Sequence, residues 1–311
     1  MFYASDIHGS DVLWRKFINA GKFYDANVLV MGGDVAGKAV VPITKTPQGY
    51  LIPHETRDPI VDEAELAAAE KRIRDHGFYP YRTTTEELEE LGRDPDALER
   101  VFANAMRTSL ESWVALAEER LRRSGIGIYV MIGNDDDPSL REVLQRSDVV
   151  RDPEDVVVEL GEDFTMISCG WANRTPWNSP REMSEDDLLA HLEQHVAPVP
   201  DPKRTVFNLH VPPFSSGLDQ APALDETLKP IVTGGAVMSV PVGSKAVRTI
   251  IERYQPPVAL HGHIHESRGV AKVGRTVCIN PGSEYSDGVL HGALVVLDRQ
   301  KGLKSHHLVS G

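Results

Sequence analysis

Cysteine is nearly absent: Cys169 and Cys278 are the two in 311 residues. Each sits inside an apolar run, so there is no disulfide framework to build, and reduced, buried thiols of a cytoplasmic protein are expected. Long apolar runs are missing too. None approaches the ~20 residues that span a bilayer, and the opening MFYASDIHGS has no basic stretch leading into an apolar one. Neither membrane insertion nor export is therefore expected. Basic runs are also lacking. With 33 Lys and Arg against 46 Asp and Glu, the net charge is −13, a field that repels polyanions and weighs against duplex nucleic acid as a partner. No internal repeat or low-complexity segment appears, which excludes a solenoid. What remains, 41% hydrophobic and 25% charged, suffices for a full core.

Short β-branched runs alternate with helical patterns, the signature of an α/β protein built from βαβ units. Strands are expected over 1–5, 27–33, 125–133, 163–170, 204–211, 257–262, 276–280 and 292–298. Several are apolar on both faces and therefore read as central strands covered by other layers. Helices are expected over 11–21, 140–146, 184–195 and 244–254, the third opened by Ser184 as N-cap. Residues 39–95 break the rhythm with prolines around an Ala/Glu-rich segment near 62–76. This stretch reads as a helical insertion after the second strand, placed to cap the core or to join copies of the chain into an oligomer. A further helix runs from Pro95, capped by Asp94, to about residue 123.

The chemistry-bearing residues follow strands. Asp6 and His8 come after the first, Asp34 after the second and Asn134 after 125–133. His210 ends 204–211, and His263 and His265 follow 257–260. Carboxyl ends of strands in α/β sheets converge on one rim, so these scattered residues share a small volume. Mixed imidazole and carboxylate suit Mn, Fe, Zn, Co or Ni, and the lack of nearby cysteine argues against a structural thiolate zinc site. In D-x-H and H-x-H, residues two apart on extended backbone point the same way, so each pair grips one metal or feeds two neighbouring ones.

In this order, SDIHG (5–9), GGDVAGK (32–38), GND (133–135), NLHVPP (208–213) and GHIH (262–265), followed by INPGSE (279–284), resemble the motifs of the calcineurin-like metallophosphoesterase superfamily. The SCGWANRTPWNSPRE segment (168–182) is most similar to the Icc-related predicted phosphoesterases. The resemblance spans residues 6–283. It implies one domain over 1–311 with a four-layer α/β/β/α sandwich, and a dinuclear centre. Asp6, His8 and His265 would hold one metal, Asn134, His210 and His263 the other, with Asp34 bridging. It also implies a hydrolase that cleaves phosphoesters with a metal-bound hydroxide. One position departs from the pattern. Many family members carry histidine where this chain has Asp135, and an ionised Asp135 cannot donate a proton. Help for the leaving group then comes from a raised Asp135 pKa, another residue or water. The Asp-Arg-Gly of the family's protein phosphatases is replaced by Val35-Ala36-Gly37-Lys38, which argues against a protein substrate.

The expected substrate is a small-molecule or nucleotide phosphodiester, or an activated monoester, because an unprotonated alkoxide leaves poorly. Asp34, Asn134, Asp135 and His210 are the catalytic candidates. Asn173, Arg174, Trp177 and His261 are candidates for substrate contact, His261 being equally a buried structural histidine. Lys38, His54 and Arg57 could also reach the site. Asp136 and Asp137 read as caps of the helix after Pro138, and His191, His195, His291, His306 and His307 as surface or structural. Two other functions fit the same ligand set: a non-catalytic metal-binding interaction module, and a nuclease with a locally positive groove.

Overall fold

The computed structural model describes residues 1–53 and 60–311; His54 and Arg57 lie outside them. It is an α/β protein organised on two six-stranded sheets. In the first, strands Phe2–Ala4, Val28–Gly32, Gly127–Met131 and Val150–Arg151 run parallel, and His291–Asp298 and Gly302–Ser310 add antiparallel at the edge beside Phe2–Ala4. In the second, Phe164–Cys169, Thr205–Leu209, Val258–Leu260 and Thr276–Asn280 are parallel, with Val158–Leu160 and Gly269–Val273 antiparallel at the two edges.

The two-residue period of a strand sorts its side chains between two cores. On the first sheet, Phe2, Ala4, Leu29, Met31, Ile128 and Val130 pack against helices Asp11–Phe23 and Pro95–Leu121. Their neighbours Tyr3, Val30 and Tyr129 face the other way, onto Met166, Val206, Val258, Leu260 and Ile279 of the second sheet. The second sheet's far face, with Ile167, Phe207 and Ala259, is covered by Leu188, Leu192, Ile250 and Ile251 of helices Glu185–Val196 and Lys245–Tyr254. Ser184 caps the first of these by accepting Asp187 N–H, and Asp94 caps Pro95–Leu121 by accepting Ala97 N–H, both at the expected positions.

The insertion is not simply helical. Val40–Thr46, Gly49–Leu51, Ile60–Val61 and Tyr79–Thr83 form a four-stranded sheet carrying helix Leu66–Asp75, with its own apolar cluster of Val41, Ile43, Ile52, Leu66, Ala69 and Ile73. Its strands are short and punctuated by Pro42 and Pro80, which hid the alternation; both prolines fall in the paired register between Val40–Thr46 and Tyr79–Thr83. Among the described residues no helix is long and apolar enough to cross a membrane.

Candidate metal centre

The sequence-predicted ligands converge where the parallel strands of both sheets end. Asp6, His8, Asp34 and Asn134 come from loops of the first sheet; His210, His263 and His265 come from the second. The loops after Ala4 and Gly32 stay paired beyond their strands: Asp6 N–H donates to Gly33 O at 3.0 Å, His8 N–H to Asp34 O at 3.0 Å and Gly9 N–H to Val35 O at 2.8 Å. Four of these candidate ligands take left-handed backbone, with φ of 58° at Asp6, 39° at His8, 50° at Asp34 and 65° at His263. Such conformations cost ~1 kcal/mol or more at non-glycine residues and concentrate at functional sites. Close approach sets two glycines: a Cβ on Gly133 would lie 2.0 Å from Asp34 Oδ1, and one on Gly262 2.2 Å from Asp6 Oδ2.

Two groups form around Asp34. Asp6, His8 and His265 offer ligand atoms within 4.8 Å of one another, as do Asp34, His210 and His263. In the first, His8 Nε2 faces His265 Nε2 at 3.0 Å and His265 Nε2 stands 3.6 Å from Asp6 Oδ1. In the second, His210 Nδ1 donates to Gly32 O at 2.8 Å, which turns Nε2 toward Asn134 Oδ1 at 3.0 Å and Asp34 Oδ1 at 3.5 Å. The other Asp34 oxygen, Oδ2, lies 3.8 Å from His8 Nε2. One carboxylate therefore addresses both groups. The Asp6 carboxylate also accepts His263 N–H, at 3.0 and 3.1 Å, tying the H-x-H loop to the first sheet.

The electrostatics suit cations. Burial alone would raise Asp6, but hydrogen bonding to His265 and the charge of His210 outweigh it and hold the carboxyl at about 2. Asp34 is likewise well below the usual range, burial being overcome chiefly by His210. Burial pushes His8 down to about 3 and His263 to about 4, so both rings are neutral with lone pairs to give. His210 is the exception: burial is outweighed by Asp34, and the ring is raised to about 9. Its Nε2 proton, surrounded by carboxylate and amide oxygens, stands where a cation would be held. Buried neutral imidazoles, two ionised carboxylates and a carboxamide oxygen make a donor set that fits transition-metal ions.

Asp135 lies at the rim. Its backbone N–H donates to Asp34 Oδ1 at 3.1 Å, its Oδ1 accepts from Ser179 Oγ at 2.6 Å and from Asn134 Nδ2 at 3.1 Å, and Lys38 Nζ pairs with its Oδ2 at 3.1 Å. Asp136 does not cap the following helix. It is fully buried and accepts Val35 N–H at 2.9 Å, Ala36 N–H at 2.8 Å and Gly133 N–H at 2.7 Å, riveting the loops after Gly32 and Met131 together. Burial and the charge of Asp34 push its carboxyl up to about 7 against those three amides. Asp137 does cap, accepting Ser139 N–H at 2.7 Å.

His261 is buried behind the centre, its Nδ1 bonded to Leu209 O at 2.8 Å and Val211 O at 3.1 Å, the carbonyls flanking His210. That position supports His210 rather than meeting solvent. Asn173 is half-buried, with Nδ2 donating to Val242 O at 3.4 Å, while Arg174 and Trp177 are exposed on the loop that delivers Ser179. His291 bonds Glu284 and Ser310.

Besides Ser179, two contributors escape a reading of the sequence. Tyr285 lays its ring 4.7 Å from that of His8. Arg181 is buried against Glu154, with Nη2 donating to both carboxylate oxygens at 2.7 and 2.6 Å and Nη1 to Ile132 O at 2.7 Å and Gly133 O at 3.2 Å, just before Asn134. Arg181 and Glu154 lie 27 positions apart, and no local pattern announces the pairing; the only hint is an arginine directly after a proline in NSPRE.

No protein-family profile matches the chain. It is 31% identical over 122 residues to the uncharacterized protein MJ1162 of Methanocaldococcus jannaschii, an overlap of 39% of this chain and 49% of the relative. The chain thus spans about half the length of that curated relative. Two solved structures share the fold along nearly the whole chain. One aligns with a TM-score of 0.54 at 16% identity, over 99% of this chain and 97% of its own. The other, TT1561 of Thermus thermophilus, aligns with a TM-score of 0.51 at 12% identity, over 100% and 96%.

Proposed function

We propose that the protein is a metal-dependent phosphoesterase of the calcineurin-like metallophosphoesterase type, acting on a phosphodiester or activated monoester of a small molecule or nucleotide. The observation that carries this reading is Asp34, whose Oδ2 and Oδ1 lie 3.8 Å and 3.5 Å from the Nε2 atoms of His8 and His210 in two separate ligand groups. Asp6, His8 and His265 would hold one transition-metal ion, Asn134, His210 and His263 the other, with Asp34 between them. Two such cations activate a water and neutralise phosphoryl charge. The fold belonging to this proposal is the four-layer α/β/β/α sandwich, supported by three apolar clusters lying in turn between helices and sheet, sheet and sheet, and sheet and helices.

The chain's own residues set the preference among substrates. Burial would lower Lys38, but Asp135 and Asp34 outweigh it and keep the ammonium above its ordinary range. It therefore stays charged at neutral pH and serves by offsetting charge on a phosphoryl or leaving oxygen, not by giving up its proton. Asp135, itself bonded by Ser179 Oγ, holds it at the rim. Without a proton donor, esters with good leaving groups are favoured.

The test is metal content and hydrolysis of a bis-aryl phosphate with added Mn²⁺, on wild type and Asp34→Asn. Two metals per chain in this centre, with turnover falling by about a thousandfold or more in the variant, is the expected result. Two metals without turnover on any ester would move the protein to a binding role, and no metal at all would end the proposal.

A further inference from the structure

We propose that His191, His195 and Asp155 form a separate mononuclear site for a Zn²⁺-class cation, independent of the centre described above. His191 and His195 stand four apart on helix Glu185–Val196, and hence on one face, a spacing that lets two imidazoles share one ion. Asp155 meets them from the segment between the two sheets, in left-handed backbone at φ 64°. One ligand atom from each lies within 4.8 Å of the other two.

The second observation is that the imidazoles are left wanting. His195 is 7% exposed, and its Nδ1 donates to the His191 carbonyl at 2.9 Å, which turns Nε2 toward Asp155. That Nε2 is buried and lies 3.0 Å from Asp155 Oδ1, with no hydrogen bond made to it among the described residues. His191 Nε2 is buried and also has no hydrogen-bond partner among the described residues. Two buried ring nitrogens without hydrogen-bond partners are costly to leave so, and a cation held between them and the carboxylate satisfies all three. Arg141 does not compete, because it uses the other oxygen, Oδ2, at 2.7 Å. The surroundings hold three carboxylates, Asp152, Glu154 and Asp155, against two guanidiniums, Arg141 and Arg181, a net charge of −1 that favours a divalent ion.

Equilibrium dialysis with Zn²⁺, and with Co²⁺ as a spectroscopic probe, tests this on wild type, His191→Gln and Asp155→Gly. The glycine keeps the left-handed backbone, and Asp155 is 48% exposed, so that variant keeps the fold. Melting in chelator, equal to wild type, verifies it. The expected result is one equivalent fewer of bound metal in each variant, loss of the corresponding Co²⁺ absorption, and retention of that equivalent in Asp34→Asn. Equal stoichiometry in wild type and both variants would overturn the site. So would an equivalent that disappears in Asp34→Asn instead, since it would then belong to the other centre.

Discussion

Lys38 stands beside the position where relatives of the proposed kind carry a histidine, paired to Asp135 at 3.1 Å and 45% exposed. If it offsets charge rather than transferring a proton, Lys38→Arg retains most of the turnover and Lys38→Ala loses about tenfold to a hundredfold. In the alanine variant the loss should grow with the basicity of the leaving group, measured as kcat/KM over a series of aryl phosphodiesters. A loss equal across the series would mean that Lys38 binds the substrate without following its charge. At this scale the sequence was most readable. Asp6, His8, Asp34, Asn134, His210, His263 and His265 each follow a strand directly, so strand order alone brought them together. Ser179, Tyr285 and Arg181 reach the centre by tertiary packing, and nothing adjacent in sequence marks them. Asp136 misled because an aspartate before a proline and a helical turn reads as a cap, whereas burial gave it three backbone amides from two loops.

Among the elements, helices Asp11–Phe23 and Pro95–Leu121 are joined by Trp14 and Trp113, stacked at 5.2 Å with planes 8° apart. Each indole N–H has a partner: Trp14 Nε1 donates to Trp113 O at 3.0 Å, and Trp113 Nε1 to Asp11 Oδ1 at 2.6 Å. Trp14 is fully buried, so Trp14→Ala should cost ~3–5 kcal/mol, read from denaturant unfolding. A cost under ~1 kcal/mol would show that the helices repack without the stack. Helix starts were legible from side chains that cap them, as at Asp94 and Ser184. The insertion was not, because two- and three-residue strands with interior prolines carry too little alternation to outweigh one Ala/Glu-rich helix. The second antiparallel edge strand, Gly302–Ser310, was missed for a different reason. Its burial runs between intermediate and exposed, so it lacks the apolar face by which strands are recognised.

For the molecule as a whole, the proposed centre makes His210 the group that would couple metal uptake to pH. Its folded, metal-free value of about 9 lies above the ordinary 6.5. The protonated ring therefore stabilises the metal-free fold fully below pH 6.5, and this contribution fades as pH rises through about 9. A metal needs the neutral ring, so uptake at pH 7 should release at least one proton, and apparent affinity should climb roughly tenfold per pH unit until about pH 9. Calorimetry in buffers of different ionisation enthalpy measures the release directly. Uptake without a proton would place the metal away from His210.

The first sheet is completed by pairing Phe2–Ala4 with the distant His291–Asp298, while three of the seven candidate ligands belong to the second sheet. During synthesis, Asp6 and His8 leave the ribosome nearly three hundred residues before His291–Asp298, one of the two strands that flank theirs. The earliest candidate ligands are thus present long before the last of them, His263 and His265, are made. In the proposed centre ion capture would be a late event in the life of the nascent chain, and a product shortened before residue 291 would carry every candidate ligand yet lack the strand that pairs with Phe2 and Tyr3.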